Sequence, residues 1–279
     1  MKSNPYVSVI IPTRNSAQFL DTCLASIKNQ TYKNIEIVVV DNNSTDNTKE
    51  IAKKYTNLVF NKGPERAAQT NLGISKAQGK YVYRVDSDFV LENNVISEAV
   101  EKCENEKLDG IAVHNTSAPG LGFWSKVRKL ERDTYQDDTL IVGVRFYKKD
   151  VWKSLNGYNE KIVWDDYDFH NRFIGANFKW GRIKSKEYHL GEPKSLLDIA
   201  KKSFFYGQEM VAYLKLYPSR GLKQANPLRF SYIRHWKEFI KNPILSLGFM
   251  LMLLVKYGAG MVGFSQELVM RGLKVKRQK

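Results

Sequence analysis

Residues 7–15 read VSVIIPTRN, and residues 35–43 read IEIVVVDNN. Each stretch is a run of mostly apolar residues, rich in Val and Ile, that ends abruptly in polar residues, which is typical of a strand buried on both faces. Between them, apolar side chains recur at helical spacing from Phe19 to Ile27, and Ser16 stands where a helix N-cap is expected. A strand, a helix and a second strand in this order predict two parallel strands joined by a crossover.

The alternation of strands and helices continues along the first half of the chain. The further elements predicted there are a helix from Ser44 or Asp46 to Tyr55, a strand Leu58–Phe60, a helix Arg66–Ala77, a strand Tyr81–Val85, a helix Glu92–Glu104 and a strand Ile111–Val113. This order predicts an α/β fold, with a Rossmann-like, mostly parallel sheet flanked by helices. Past Thr116 the pattern is looser, and the elements predicted are a strand Thr139–Tyr147, a helix Trp164–Phe173 and a strand Phe178–Ile183.

The net charge of +15 is concentrated in the C-terminal part of the chain. Residues 201–279 contain 15 Lys and Arg but three acids, whereas residues 1–200 contain 29 basic and 26 acidic residues. Neither a zinc-finger spacing nor an RNA-binding aromatic signature accompanies this charge. We therefore expect no nucleic-acid partner.

Composition excludes two further classes. The chain has 279 residues, 43% of them hydrophobic, which is enough to bury a core. Its two cysteines, Cys23 and Cys103, lie in unrelated contexts and exclude a disulfide scaffold and a cysteine-based zinc site. The same two cysteines fit a reducing compartment. The polar start, Met1–Tyr6, predicts no secretory signal.

Polar clusters follow three of the predicted strands. These clusters are Pro12-Thr13-Arg14-Asn15, Asp41-Asn42-Asn43 and Asp86-Ser87-Asp88. Ligands of open α/β sheets bind at the carboxyl ends of the strands, where these clusters would meet. A functional site at this edge is therefore expected.

Several acids in these clusters have a functional and a structural interpretation. Asp86 and Asp88 could hold a divalent metal together with a ribose hydroxyl, since Mg²⁺ and Mn²⁺ prefer hard oxygen ligands, or they could form a solvated turn or a helix cap. Asp165 and Asp166 lie among apolar residues and could include a general base with a raised pKa, or form the acidic first turn of a helix. Asp41 could accept a hydrogen bond from a nucleotide base, or shape a turn.

His189 follows a late predicted strand. A metal or phosphate role is open to it, and so is a purely structural one.

Taken together, the motifs resemble a known family. They are VSVIIPTRN at residues 7–15, VVVDNNSTDNT at 38–48, NLGI at 71–74, DSD at 86–88, GYNE at 157–160 and WDDYD at 164–168. In order and spacing they resemble the inverting family 2 glycosyltransferases, which have the GT-A fold, over about residues 5–215. The resemblance implies an enzyme of hexosyltransferase type that takes a sugar from a nucleotide-sugar, most often a UDP-sugar, with Mn²⁺ or Mg²⁺ as cofactor.

The resemblance also implies roles for individual residues. Those that would bind the donor are Pro12, Thr13 and Asp41 at the base, Arg66 nearby and Asp86 at the ribose. Asp88 would hold the metal, and His189 matches a late histidine that reaches the metal in some members. Asp166 would be the catalytic base, with Asp165 as the alternative because it stands where Glu is common.

The C-terminal region has a different character. Residues 244–255 are uncharged and 257–264 continue uncharged after Lys256, with Pro243 placed to begin a helix. The flanking basic residues are Arg229, Arg234, Lys237, Lys241, Arg271, Lys274, Lys276, Arg277 and Lys279. Such a segment predicts association with an anionic membrane surface, on the cytoplasmic face; the alternative is a core helix with a solvated tail. Lys256 could snorkel, which leaves a short spanning helix open.

We therefore predict a catalytic domain over residues 1–215 and a basic, helical, membrane-associating region over residues 216–279. A membrane-docked enzyme suggests an acceptor on a polyprenyl-linked or cell-surface glycan. Two alternatives remain. One is an inactive, nucleotide-binding relative. The other is a sugar nucleotidyltransferase, which requires a Gly-rich basic loop after the first strand, where this sequence has Pro12-Thr13-Arg14-Asn15. Residues 115–122 are expected to form a loop that contacts the donor sugar.

Overall fold

The structure is a computed structural model that describes residues 4–120 and 122–277, with side chains up to Leu273. It divides into two compact units. Unit 1 contains the residues up to 116, 142–161 and 165–191, and unit 2 contains 117–141, 162–164 and the residues from 192 onward. Contacts group residues 117–141 and 192–215 with the C-terminal region. The predicted catalytic domain over residues 1–215 refers to the residues that carry out the reaction, and it stays a prediction.

The described residues form ten strands. They are β1 Val7–Thr13, β2 Ile35–Asp41, β3 Val59–Asn61, β4 Tyr81–Arg84, β5 Phe89–Leu91, β6 Gly110–Ala112, β7 Asn115–Ser117, β8 Phe146–Lys148, β9 Trp180–Arg182 and β10 Glu187–His189. Seven strands form one sheet in the order β3-β2-β1-β4-β8-β6-β9, and three form a second in the order β5-β10-β7. In the larger sheet β8 is antiparallel to β4 and β6, and the other pairs are parallel. The predicted mostly parallel α/β sheet is confirmed.

The same residues form twelve helices. They are α1 Ala17–Lys28, α2 Thr48–Lys53, α3 Arg66–Lys76, α4 Val95–Glu106, α5 Phe123–Asp133, α6 Lys149–Ser154, α7 Asp165–Gly175, α8 Leu196–Leu216, α9 Pro218–Ala225, α10 Phe230–Arg234, α11 Trp236–Lys241 and α12 Pro243–Arg277. The regular elements of unit 2 are the end of β7 and helices α5 and α8–α12, joined by turns and loops.

The core of unit 1 lies on both faces of the larger sheet. Alternate residues of β1 point to opposite faces, so Val9 and Ile11 pack with α1 and α4, while Ile10 packs with α3. Gly73 of α3 lies directly against Ile10, where a Cβ would not fit, so the glycine allows α3 to approach the sheet closely. Both faces of β1 are buried, which explains its continuous apolar sequence.

Pro12 is tolerated in this central strand because of where it stands. The pairing between β1 and β4 ends at Ile10, two residues before the proline, so its missing N–H does not interrupt that ladder. On the other side Pro12 is level with Val40 of β2.

Two of the quoted motifs bind each other. Asn71 of α3 donates a hydrogen bond to the carbonyl oxygen of Tyr158 (2.9 Å) and accepts one from its N–H (2.8 Å), and it also donates to Glu160 (2.8 Å). Gly157 has φ +75°, and a Cβ there would lie 2.8 Å from the Asn71 amide oxygen. The NLGI and GYNE segments are therefore two halves of one structural contact.

The predicted strand Thr139–Tyr147 is wrong for most of its length, since the strand found there is Phe146–Lys148. Residues 139 and 140 turn instead. Their carbonyl oxygens accept hydrogen bonds from the side chains of Arg220 (3.2 Å) and Gln224 (2.8 Å), so they do not serve a neighbouring strand. The predicted loop at residues 115–122 is corrected at its start, which forms β7, and Leu121 lies outside the described residues.

The apolar C-terminal helix is confirmed, and it begins at Pro243 as predicted. It is one continuous helix, of which Pro243–Leu273 is long and apolar enough, by length and composition, to cross a membrane. The snorkelling of Lys256 is wrong: its ammonium lies 2.7 Å from Glu131 of α5. Of the predicted basic flank, the side chains of Lys274, Lys276, Arg277 and Lys279 lie outside the described residues.

We predict that Glu131→Gln strongly destabilises unit 2. Glu131 is fully buried and accepts hydrogen bonds from Lys256, Arg128 and Tyr135. Removing one partner of a fully buried ion pair costs about 3–5 kcal/mol. That value is an upper bound here, because Lys256 and Arg128 are 28% and 20% exposed and stay partly solvated when Glu131 loses its charge. Denaturant unfolding followed by tryptophan fluorescence measures the change.

The matched control is Asp133→Asn, which removes an exposed carboxylate from the same helix and should cost less than about 1 kcal/mol. Adding Lys256→Met to Glu131→Gln should restore part of the lost stability. An effect of Glu131→Gln no larger than that of the control would contradict the prediction.

Candidate functional site

The first part of the site is the junction of β1 and β2, where Thr13 and Asp41 are level with each other. The Asp41 carboxylate is fully buried and accepts hydrogen bonds from the Thr13 hydroxyl (3.2 Å) and the Ser44 N–H (2.8 Å). The Lys49 ammonium lies 3.5 Å from the same oxygen that accepts from Ser44. These contacts are the turn chemistry that the structural interpretation predicted, and base recognition by Asp41 stays a prediction.

Gln69 fixes the strand ends at this junction. Its side-chain amide donates to the carbonyl oxygens of Thr13 (2.8 Å) and Val40 (2.6 Å), and the residue is almost fully buried in α3. No sequence signal could have selected Gln69, since a lone Gln in a helix has no distinctive spacing.

The second part is a cluster of arginines around Asp86. Arg84 lies 3.2 Å from one oxygen of Asp86 and Arg145 lies 3.5 Å from the other, while Arg66 approaches to 3.9 Å. Arg84, at the end of β4, is 1% exposed. Burial alone would raise the pKa of Asp86, but the attraction of Arg84, Arg66, Arg145 and His189 outweighs it, and the pKa lies well below its usual value. Asp86 is therefore held as an anion.

The two candidate bases have different surroundings. Asp165 begins α7, is 1% exposed, and pairs with Arg66 and, at 3.6 Å, with Arg84. Asp166 is half-buried and accepts a hydrogen bond from the N–H of Tyr167 (2.9 Å). Arg66 and Arg84 thus connect Asp165 to Asp86, whereas Asp166 makes no ion pair in the described part of the chain.

The third part joins Asp88 and His189. His189 lies in β10, opposite Phe89 of β5, and its Nε2 is 3.0 Å from the Asp88 carboxylate. The N–H of Leu190 also donates to the Asp88 carbonyl oxygen (2.8 Å). A Cβ on Gly191 would overlap the Asp88 carboxylate, so an alanine here would displace that carboxylate. The structure brings the predicted metal ligands together.

The donor set suits a divalent cation shared with a substrate. A carboxylate and an imidazole at hydrogen-bonding distance could both turn to one Mn²⁺, and Mg²⁺ is commonly held by one or two protein ligands plus substrate phosphates. Within residues 4–120 and 122–277, no group of three or more His, Cys, Asp or Glu residues forms a complete protein cage. The arrangement therefore fits a metal that needs a phosphate ligand.

Arg84, Arg145 and Glu187 are site residues that the sequence analysis missed. Glu187 is fully buried between Arg145 and the hydroxyl of Tyr83. The available signal was a charge inside an otherwise apolar strand: Arg84 follows Tyr81-Val82-Tyr83, and Arg145 stands between Val144 and Phe146. A charge in such a position requires a buried partner.

Comparison with known proteins agrees with these features. The family model described as glycosyl transferase family 2 matches residues 8–172. The glycosyltransferase GlyG of Streptococcus pneumoniae is 36% identical over 110 residues, which are 37% of this chain and 36% of that protein. The chain spans half or less of the length of the curated relatives it matches.

Two solved structures share the fold. TarS of S. aureus, in complex with UDP-GlcNAc, has a TM-score of 0.53 and 23% identity, over 74% of this chain and 66% of that one. The mannosyltransferase PcManGT of Pyrobaculum calidifontis, in complex with GDP-Man and Mn²⁺, has a TM-score of 0.65 and 17% identity, over 96% and 88%. These likenesses confirm the GT-A type of α/β fold. Because the family model covers more than half of the residues, the chain belongs to glycosyl transferase family 2.

Proposed function

We propose that the chain is an inverting glycosyltransferase that moves a sugar from a nucleotide-sugar, foremost a UDP-sugar, to a hydroxyl of an acceptor glycan. The observation that carries this proposal is the division of the acids at the strand ends. Asp86 and Asp165 are held by arginines, while Asp88 is next to His189 and Asp166 makes no ion pair among the described residues. TarS binding UDP-GlcNAc and PcManGT binding GDP-Man support a nucleotide-sugar donor.

Donor binding is assigned to the strand ends of unit 1. Pro12, Thr13 and Asp41 would contact the nucleotide base, and Asp86 the ribose. Arg66, whose side chain is about one-third exposed, is the cation placed to approach the diphosphate. Asp88 and His189 would hold Mn²⁺ or Mg²⁺, which when bound neutralises charge on the diphosphate.

The reaction is a single displacement in this proposal. Asp166 takes the proton of the acceptor hydroxyl, whose oxygen forms a bond to the anomeric carbon from the face opposite the nucleotide. The bond from the anomeric carbon to the diphosphate oxygen breaks, and the diphosphate leaves with the electron pair. Attack from the opposite face inverts the anomeric centre. Asp165 is unsuited to the same task because two arginines already hold its carboxylate.

The acceptor is proposed to be a polyprenyl-linked or cell-surface glycan, reached at the cytoplasmic face of a membrane. Every large hydrophobic side chain that is exposed in the described residues belongs to unit 2, most of them on α12. An apolar surface of this kind, in a strongly basic region, is typical of a protein that binds a membrane. A lipid-linked acceptor would be held at the same membrane.

We predict that Asp166→Asn lowers kcat by about 10²–10⁴-fold, the usual contribution of general base catalysis. The amide cannot accept the proton, but it keeps the size of the side chain and should leave donor binding unchanged. Release of nucleotide diphosphate in the presence of acceptor measures kcat, and isothermal titration measures donor binding.

Asp165→Asn is the matched comparison. It should weaken the arginine cluster and lower stability, because Arg84 and Arg66 lose a charged partner. Wild-type turnover in Asp166→Asn, with turnover lost in Asp165→Asn at unchanged stability, would reverse the assignment of the base.

We predict that Asp88→Ala abolishes the dependence of donor binding on Mn²⁺, since one of the two proposed ligands is removed. Gly191→Ala is a milder variant, because its methyl group would displace the same carboxylate without deleting it. Titration of UDP-sugars and GDP-mannose with and without Mn²⁺ measures both effects. Gly175→Ala, where a methyl group meets no neighbour, is the control.

Donor affinity that rises equally with Mn²⁺ in wild type and Asp88→Ala would refute the metal assignment. A panel of sugar nucleotides, with a membrane lipid extract as acceptor, tests the function itself. Release of nucleotide diphosphate supports glycosyl transfer, release of pyrophosphate on adding a nucleoside triphosphate and a sugar phosphate supports a nucleotidyltransferase, and donor binding without any release supports an inactive relative.

A further inference from the structure

Helix α12 carries an exposed apolar stripe along its length. Its exposed large hydrophobic residues are Ile244, Leu247, Met250, Leu251, Leu254, Met261, Val262, Leu268, Val269, Met270 and Leu273. Many recur three or four positions apart, which places them on one side of a helix. At 1.5 Å per residue the stripe is about 44 Å long. A continuous apolar surface of this length needs a partner.

The opposite side of α12 is packed against α8 and α5. Phe249 and Met252 are buried in a cluster with Val127 of α5 and Ile199 of α8. Farther along, the backbones of α8 and α12 touch, and a Cβ on Gly207 would overlap the carbonyl group of Gly260. Helix α8 therefore contacts α12 near Phe249 and Met252 and again at Gly260. Separating the two helices would expose the residues that are buried between them.

Lys256 shows which environment the packed side occupies. It lies near the middle of α12 and is bound to Glu131, which also accepts from Arg128. Nearby, Glu192 lies 3.0 Å from Arg132. If α12 crossed a bilayer, this cluster of charges would lie near the hydrocarbon centre, where ionised side chains are costly. The packed side therefore lies against protein and water, and only the exposed stripe can contact an apolar medium.

The short helices before α12 add cations next to further exposed hydrophobics. In five places an exposed large hydrophobic residue is followed directly by Lys or Arg: Leu222-Lys223, Leu228-Arg229, Ile233-Arg234, Trp236-Lys237 and Ile240-Lys241. Lys223, Arg229 and Arg234 also line a cavity of about 340 Å³, together with Asp137 and Asp138. Alternation of apolar and cationic groups suits the boundary between acyl chains and anionic headgroups.

Charge also selects the partner. Residues 201–279 contain 15 Lys and Arg against three acids, so a second copy of this surface would meet strong like-charge repulsion. An anionic lipid surface is attracted by the same charge.

We propose that unit 2 binds one leaflet of an anionic bilayer, with α12 lying along the surface and its stripe in the acyl region, and that α12 does not cross the membrane. The proposal gives a geometry to the membrane association included in the proposed function, and rests on it for its biological purpose. The stripe defines which side of α12 contacts lipid, and the Lys256–Glu131 pair sets the rotation of α12 about its own axis.

The first experiment measures partition of the full chain onto vesicles by sedimentation. Binding is expected on phosphatidylcholine vesicles that contain phosphatidylglycerol, with much weaker binding on phosphatidylcholine alone. Leu254→Glu and Met261→Glu should each lower the partition by about tenfold, since an apolar side chain that enters the bilayer is replaced by a charged one. Lys62→Gln, an exposed change in unit 1 that alters net charge equally, should have no effect.

The second experiment separates lying from crossing. Lys241→Cys and Arg271→Cys lie near the two ends of the stripe. Arg271 is partly exposed and lies about 60° from Lys256 around the helix, so its side chain is turned away from the stripe. The native Cys23 and Cys103 are buried. Each variant is added to sealed vesicles and treated with a membrane-impermeant maleimide before and after detergent. Both cysteines should react fully before detergent.

Protection of Arg271→Cys until detergent is added, with Lys241→Cys reactive, would overturn the proposal, because it places the two ends on opposite sides of the membrane. Unchanged partition of the Leu254→Glu variant would also overturn it, and would point to self-association if the same variant changed the oligomeric state. None of these measurements uses a donor sugar. They therefore stand apart from the nucleotide-release assay, whose failure would refute the proposed reaction and leave the membrane geometry intact.

Discussion

The arrangement of acids in unit 1 depends on the buried guanidinium of Arg84. It lies between Asp86, which follows the same strand, and Asp165, which begins α7, and it faces the ring of Tyr158. A buried charge without partners costs several kcal/mol, and the two carboxylates are the partners that Arg84 has here. The interaction therefore connects the end of β4 to the start of α7. Without it, Asp86 and Asp165 would repel each other.

This constraint explains how neighbouring acids can serve different purposes. The acids form two pairs in the sequence, Asp86 with Asp88 and Asp165 with Asp166. In each pair the first carboxylate is bound by an arginine. The other member, Asp88 or Asp166, is carried by the same backbone but lies outside the arginine cluster. The acids bound by arginine fix the position of the backbone, and the remaining acids can meet a ligand or a proton. A doubled acid is thus a way to place one reactive carboxylate accurately.

The sequence was sufficient to predict the sheet and the edge where the site lies. The Val- and Ile-rich runs before Pro12 and Asp41 are long and uninterrupted, and the carboxyl ends of parallel strands must meet. The choice between Asp165 and Asp166 could not be predicted, because it depends on Arg66 and Arg84, about 80 to 100 positions earlier. Arg84 itself was missed because it lies inside the predicted strand Tyr81–Val85, and a single charge within an apolar run was given no role.

Other errors have the same origin. Residues 139–141 have a strand-like sequence, and only the side chains of Arg220 and Gln224 show why they turn. Lys256 divided the apolar segment into two runs that suggested a short helix or a snorkelling lysine. Its partner Glu131 lies 125 positions earlier, and no local pattern could reveal that the helix continues unbroken.

Lys256 orients α12 as Arg84 orients α7, since in each case a cation on one element is paired with a buried carboxylate on another. Successive residues of an α-helix are about 100° apart, so positions nine before, two before and five after a given residue lie on its opposite side. With Lys256 turned toward Glu131, those positions are Leu247, Leu254 and Met261, and all three are exposed. The charge that interrupts the apolar segment in the sequence therefore determines which of its residues face outward.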